Sequence, residues 1–166
     1  MRAGAFPEAE SLITLAGLPD EARIQLEAAS RAYGDGEVAL AHLQAAQALA
    51  PEHLAVAVGL YRFYFYKGRR KEALASAEAC LGLAGKKLLL HQDWRRVAPN
   101  DAPFASFDAP IPRLYLFILK AMAYLHLSAG RHEEGLEILA KLFELDPQDL
   151  IQAQFLRKVL GGSTNE

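Results

Sequence analysis

Apolar residues recur along this chain at the three- to four-residue spacing of a helix, in blocks interrupted by glycine and proline. From Asp20 to Tyr33, Ile24, Leu26, Ala28 and Ala29 stand among good helix formers, with Pro19 and Asp20 as a start signal. Gly34, Asp35 and Gly36 break the period, and Val38, Leu40, Leu43, Ala46 and Leu49 resume it as far as Pro51. The cycle returns over His53 to Lys67, a turn at Gly68, and Arg70 to Leu83, whose stripe is Leu74, Ala77, Cys80 and Leu81. A third copy runs from Pro112 to Ala129, turns at Gly130 and continues from His132 to Leu145. Beyond Asp146 and Pro147, the segment Gln148 to Leu160 predicts one unpaired helix, with Leu150, Ile151, Phe155, Leu156 and Val159 as its apolar positions.

The punctuation repeats as well as the pattern. Gly34 and Ala39, Gly68 and Ala73, and Gly130 and Gly135 form pairs with the same internal spacing, separated by 34 and then 62 residues. The second interval exceeds the first by 28 residues, so a period of 34 is interrupted once. A tight turn between antiparallel helices favours a residue that accepts a left-handed backbone, hence the three turn glycines. Close helix crossing needs a small side chain, which Ala39, Ala73 and Gly135 supply. Pro51 and Pro147 suit the start of a following helix, where a missing amide costs nothing.

On these residues the chain resembles the tetratricopeptide repeat (TPR) family. The third copy carries Ala123, Gly130, Leu145, Asp146 and Pro147 of its pattern, and the second carries Leu60, Tyr64, Gly68, Ala73 and Leu83. The first copy departs, with Arg23 where the family favours Trp and Glu27 at a small position, and the second has Tyr61 at that small position. The resemblance implies an all-α superhelix of antiparallel helix pairs: repeats at about 20–53, 54–87 and 116–149 in one domain over 20–160. An insertion at about 88–115, a capping helix over 148–160, an N-terminal segment over 1–19 and a flexible tail over 161–166 complete it. It also implies a function in binding proteins or peptides, without catalysis.

In such a superhelix the first helix of each pair lines a concave groove. Helical spacing places Ile24 and Arg31 there from the first repeat, Val58, Arg62, Phe65 and Tyr66 from the second, and Phe117, Lys120, Tyr124 and Leu127 from the third. Gln154 and Lys158 extend the face if the last helix continues the stack. Cations beside aromatic rings suit an acidic peptide with apolar anchors, because a guanidinium grips a carboxylate at two points and rings add contact area cheaply. The family's two-carboxylate clamp is not reproduced, since Asn100 and Asn165 are the only asparagines. Two other expectations stand beside the adaptor: a small assembly chaperone, and a structural homo-oligomer, a homodimer for instance, built through the apolar last helix.

The interruption holds Pro99, Pro103, Pro110 and Pro112 and cannot be one helix. Leu88 to Val97 predicts a short helix and the remainder a loop. Trp94, Phe104 and Phe107 are foreign to the composition of disordered linkers, so the segment is expected to be ordered. Two placements are open: a structural patch, or a lid over the groove in which Asp101 and Asp108, flanking Phe104 and Phe107, imitate an acidic-aromatic ligand.

Charge and composition narrow the function further. A net charge of −2 and a pI near 6.2 give no basic footprint for nucleic acid. Its 166 residues, 52% hydrophobic, suffice for one substantial core. No apolar run approaches a membrane span, no export signal is evident, and the single Cys80 forms no internal disulfide, so a cytoplasmic protein without a membrane partner is expected. Phosphate-loop, dinucleotide and His-Glu-x-x-His patterns do not occur. His42, His53, His91, His126 and His132 are scattered; His91 with Asp93 is the nearest approach to a metal pair and falls short of a site. No cofactor, metal or catalytic residue is expected, and Cys80 reads as a small core residue.

Overall fold

The structure, a computed structural model, describes residues 15–106 and 108–158, and every regular element among them is helical. In chain order these are α1 (Asp20–Arg31), α2 (Gly36–Leu49), α3 (Leu54–Tyr66), α4 (Arg70–Lys87), α5 (Pro110–Ser128), α6 (His132–Leu145) and α7 (Gln154–Leu156). Two 3-10 turns, Trp94–Arg96 and Pro99–Asp101, lie between α4 and α5. Within the span that the sequence assigns to one domain the chain forms two compact units, Met1–Leu83 and Ala84–Glu166, divided inside α4.

In the first unit α1 and α2 form a helix hairpin, and α2 packs in turn on α3. Their core is built from small residues where helices cross, Ala22, Ala39 and Ala46 being wholly buried, and from Leu43, Val56, Leu60 and Phe63 around them. Gly59 marks the closest approach to α3: a Cβ there would meet Leu43 Cδ2 at 3.2 Å and Leu26 Cδ2 at 3.6 Å. The turn into α2 does not use Gly34 as expected, for Gly34 is not among the left-handed glycines, which are Gly17, Gly68 and Gly130 among the described residues. Asp35 closes it instead. Its amide donates to the Ala32 carbonyl at 2.8 Å, and its carboxylate accepts from the Val38 amide at 3.3 Å as an N-cap.

Gly68 ends α3 as the sequence predicts. At φ 74° its amide donates to the Phe65 carbonyl at 3.2 Å, and Arg69 donates to the Tyr64 carbonyl at 2.9 Å, which closes a Schellman cap. The same pair of bonds recurs in the second unit at Gly130, with φ 81°, from Gly130 to Leu127 at 3.0 Å and from Arg131 to His126 at 2.9 Å. There α5 and α6 form a hairpin of their own. Gly135 is obligatory at that contact, because a Cβ would come within 2.5 Å of Leu127 Cγ. All residues from Pro112 to Ala123 are buried, so α5 is the spine of this unit.

Three boundaries differ from expectation. Helix α4 continues past Leu83 to Lys87 and ends in a third Schellman cap, Leu90 to Gly85 at 2.9 Å and Leu89 to Lys86 at 3.1 Å. Here Leu89, at φ 58° and 92% exposed, occupies the left-handed position that glycine holds elsewhere. The short helix expected over Leu88 to Val97 reduces to one 3-10 turn, started by the Asp93 carboxylate accepting from the Arg95 amide at 3.0 Å.

The largest correction concerns the capping helix expected over 148–160, whose last two positions lie outside the described residues. Residues 147–153 are turns and irregular chain; Gln154–Leu156 is α-helical, and Arg157 and Lys158 continue it as π-helix. Side chains take over the backbone groups that a helix would pair. The buried Asp146 carboxylate accepts from the amides of Leu150 at 3.0 Å and Ile151 at 3.2 Å; that of Asp149 accepts from Ala153 at 2.7 Å and Gln154 at 3.3 Å. Asp149 and Gln152 turn left-handed, at φ 53° and 57°. Short carboxylates offering the chain an alternative to helical bonding are the physical reason the helix fails here.

Candidate functional site

The first unit contains a cleft of about 290 Å³. Leu26, Ala29 and Ser30 of α1, Leu43 of α2, and Ala55, Val58, Gly59, Arg62 and Phe63 of α3 line it, with Leu15 and Tyr33 from either side of α1. The lining residues are apolar apart from Ser30, Tyr33 and Arg62. Gly59 lies in this lining, where Leu43 and Leu26 approach its backbone too closely for a side chain to fit easily.

Aromatic contacts hold the polar groups in position. Arg62 lies over the Tyr66 ring at 5.5 Å, and Tyr66 meets Phe65 edge-on at 5.4 Å. Tyr33, which is 42% exposed, meets Phe63 edge-on at 6.2 Å. Lys67 fixes the other side of Tyr33, donating to its carbonyl at 2.9 Å with the ammonium 4.1 Å from the ring centroid. Burial raises the Tyr33 phenol pKa, nearby Tyr66 adds to the rise, and Arg62 opposes it. The phenol is therefore neutral and able to donate at neutral pH.

Of the groove residues expected in this unit, Val58 and Arg62 line the cleft. Phe65 is buried, and Tyr66 is the half-buried platform under Arg62. Ile24 and Arg31 are exposed on α1 and do not line it. Helical spacing did not point to the other lining residues; among them Leu15 lies in the segment set apart as N-terminal, and Tyr33 at a helix end where the period gives no face.

In the second unit the expected groove cation Lys120 is buried, 5% exposed, and works inside the fold. Its ammonium donates to the Ile151 carbonyl at 2.8 Å and lies 5.1 Å from the Phe155 ring centroid. Phe117 is buried beside it on α5, and Tyr124 is half-buried. Lys158 is exposed, near Phe143, Gln154 and Arg157 in a shallow recess. Ile151 and Leu156, offered by the sequence for pairing with another subunit, are buried within the unit itself.

The insertion is ordered against that unit. Phe104 is buried and packs on Tyr115 at 6.0 Å; the Val97 carbonyl accepts from Lys141 of α6 at 2.7 Å; Arg95 pairs with Glu137. Trp94 is half-buried under the Arg95 guanidinium, 4.4 Å away. The Asp101 carboxylate accepts from the Ala98 amide at 2.8 Å, and Asp108 is exposed. These contacts suit the structural patch; Phe107, the remaining residue of the lid reading, lies outside the described residues.

His91, His53 and His42 are engaged within the fold. His91 Nδ1 accepts from the Asp93 amide at 3.0 Å, so this pair shapes a turn. His53 bridges the Ala16 carbonyl at 2.9 Å, and His42 meets Gln25 at 2.7 Å. Cys80 is wholly buried, and burial pushes its thiol up to about 12. Among the described residues no three His, Cys, Asp or Glu side chains are grouped to hold a metal, and no helix is long and apolar enough to cross a membrane.

Fold and cleft together define an all-α protein of helix hairpins with an apolar recess floored by one glycine and edged by one guanidinium. The chain belongs to the family of the uncharacterized 19.8 kDa protein in the nifW 5′ region of Azotobacter chroococcum mcd 1. The two are 40% identical over 139 residues, which cover 83% of this chain and 77% of that protein. No family model and no solved structure matches the chain.

Proposed function

We propose that this is a non-catalytic interaction protein of TPR-like helix pairs that captures a peptide segment carrying acidic and apolar groups in the cleft of its first unit. The observation that carries this reading is the lining: Leu26, Leu43, Val58 and Phe63 offer apolar contact, and Arg62 offers a charge poised on an aromatic platform. Binding sites commonly combine such walls with a few convergent polar groups. The capture surface is thus narrower than a groove running along the whole chain, and Lys120 is not part of it.

Selection of random peptides displayed against the purified full chain tests the reading. Enriched peptides should share an aliphatic and an acidic position, and Arg62→Gln should weaken them by about 10- to 100-fold, the equivalent of one charge-assisted hydrogen bond. Enrichment of no sequence class, or equal retention by Arg62→Gln, defeats the proposal.

A further inference from the structure

Leu89 is held in a conformation that suits glycine and at an exposure that suits a polar residue. It follows α4 at φ 58°, a backbone region that disfavours a bulky side chain, and it stands 92% exposed. The apolar contact that usually accompanies such a cap is made by its neighbour. A side chain begun at Gly85 would meet the Leu90 Cβ at 4.0 Å and the Tyr115 ring at 3.6 Å, so Leu90 packs inward there. Leu88 and Leu90 are half-buried, and Leu89 projects between them. Backbone strain at an outward-held apolar side chain points to a surface that meets something else.

The chain on both sides of Leu89 is basic. Lys86 and Lys87 fill the last turn of α4, Arg95 and Arg96 follow in the first 3-10 turn, and all four are exposed. Asp93 and Glu137 offset part of this charge through Arg95. Four cations less two carboxylates leave a net charge of +2, on a protein whose total is −2. Lysines in a last turn also answer the helix dipole, a role that Arg96 does not share. Among the described residues no ion pair holds Lys86, Lys87 or Arg96.

A side chain this exposed enters its partner rather than receiving it. Ammonium groups on flexible stems suit a diffuse negative field more than the directed grip of one carboxylate. Trp94, half-buried under Arg95, is of the residue type that favours the headgroup level of a bilayer. We infer that the end of α4 and the turn after it form a peripheral contact with an anionic lipid surface, Leu89 entering the interface and Lys86, Lys87 and Arg96 meeting the headgroups. The expectation of no membrane partner rested on the want of a spanning segment, which a peripheral contact does not need. The contact uses no residue of the cleft, so it stands or falls apart from peptide capture.

Trp94 is the single tryptophan, and its fluorescence reports on this segment directly. The full chain is titrated with vesicles of phosphatidylcholine alone and of phosphatidylcholine and phosphatidylglycerol in equal parts, and bound protein is measured by sedimentation. The mixed vesicles should shift Trp94 emission to the blue and bind with an association constant on the order of 10³ M⁻¹, about tenfold below a myristoyl chain. Leu89→Asn, which tolerates the left-handed cap, should weaken binding about tenfold. Lys86→Gln with Lys87→Gln should weaken it about 30-fold. All three substitutions fall at exposed positions, outside the core. No binding to the mixed vesicles, equal binding to both kinds, or undiminished binding by Leu89→Asn overturns the inference. Binding of soluble polyglutamate in place of the mixed vesicles would assign the surface to an acidic macromolecule and overturn it as well.

Discussion

Two helices, α3 in the first unit and α5 in the second, carry the cations that a groove would need, and the fold treats them in opposite ways. Arg62 of α3 lines a cleft with its guanidinium supported by Tyr66. Lys120 of α5 is buried under the chain's last described segment, bonded to the Ile151 carbonyl and close to Phe155. A buried ammonium needs a partner, and in the second unit the partner is a backbone carbonyl exposed by the failure of a helix. The lesson is that a cation on a helical stripe does not announce whether it serves a ligand or the fold. What covers the stripe decides.

The sharpest way to break this comparison is to remove each cation and measure stability. Lys120→Ala should cost about 2 to 4 kcal/mol in urea unfolding, since it deletes a charge-assisted bond and leaves a buried carbonyl without its donor. Arg62→Ala should cost less, about 1 kcal/mol, because Arg62 is only half-buried. Equal losses would show that both side chains belong to the fold. A smaller effect separates the two units at their Schellman caps. Gly68→Ala forces a Cβ into the left-handed region and should cost about 1 to 2 kcal/mol. Leu89→Gly relieves the same strain but loosens the unfolded chain, so a net gain of about 0.5 kcal/mol is expected from unfolding midpoints. A loss on Leu89→Gly would mean that the exposed leucine makes a contact worth more than its backbone strain.

The smallest effect at neutral pH concerns Cys80 in the first unit and Tyr115 in the second. Burial raises both, the thiol from 9.0 to about 12 and the phenol from 10.0 to about 12, with Asp93 adding to the rise at Tyr115. Folding favours the neutral form of each group, so this contribution is whole below about pH 9 and is lost as pH climbs toward 12. Urea midpoints should fall across that window. Cys80→Ala should remove the part of the decline that begins near pH 9 and keep the part that begins near 10, where Tyr115 starts to ionise in the unfolded chain. An unchanged profile would assign the whole decline to other groups.

Most helices were legible because their signals are local and redundant. Gly68 and Gly130 mark left-handed caps, Ala39 and Gly135 mark close crossings, and the apolar period supplies the buried faces. The same signals misled where a side chain could replace them. Asp35 caps α2 and relieves Gly34 of its expected role, while Leu89 accepts a conformation for which sequence offers no warning. At the C-terminal side, Leu150, Ile151, Phe155 and Leu156 have helical spacing, yet Asp146 and Asp149 stand where their carboxylates can bind the following amides. That competition depends on geometry that periodicity does not record. Of the cleft only Val58 and Arg62 were readable, by their shared face; Tyr33 entered through the turn after α1, and no helical wheel contains it.

The bond between Lys120 and Ile151 also sets an order of events in time. The α5 and α6 hairpin closes through a three-residue turn and can form early, whereas the Lys120 contact spans 31 positions and closes a longer loop. Residues 147–156 therefore dock last during folding and release first in native-state fluctuations. Hydrogen exchange should find the amides of Leu150 and Ile151 opening together, ahead of the α5 spine, each opening briefly returning the ammonium to water.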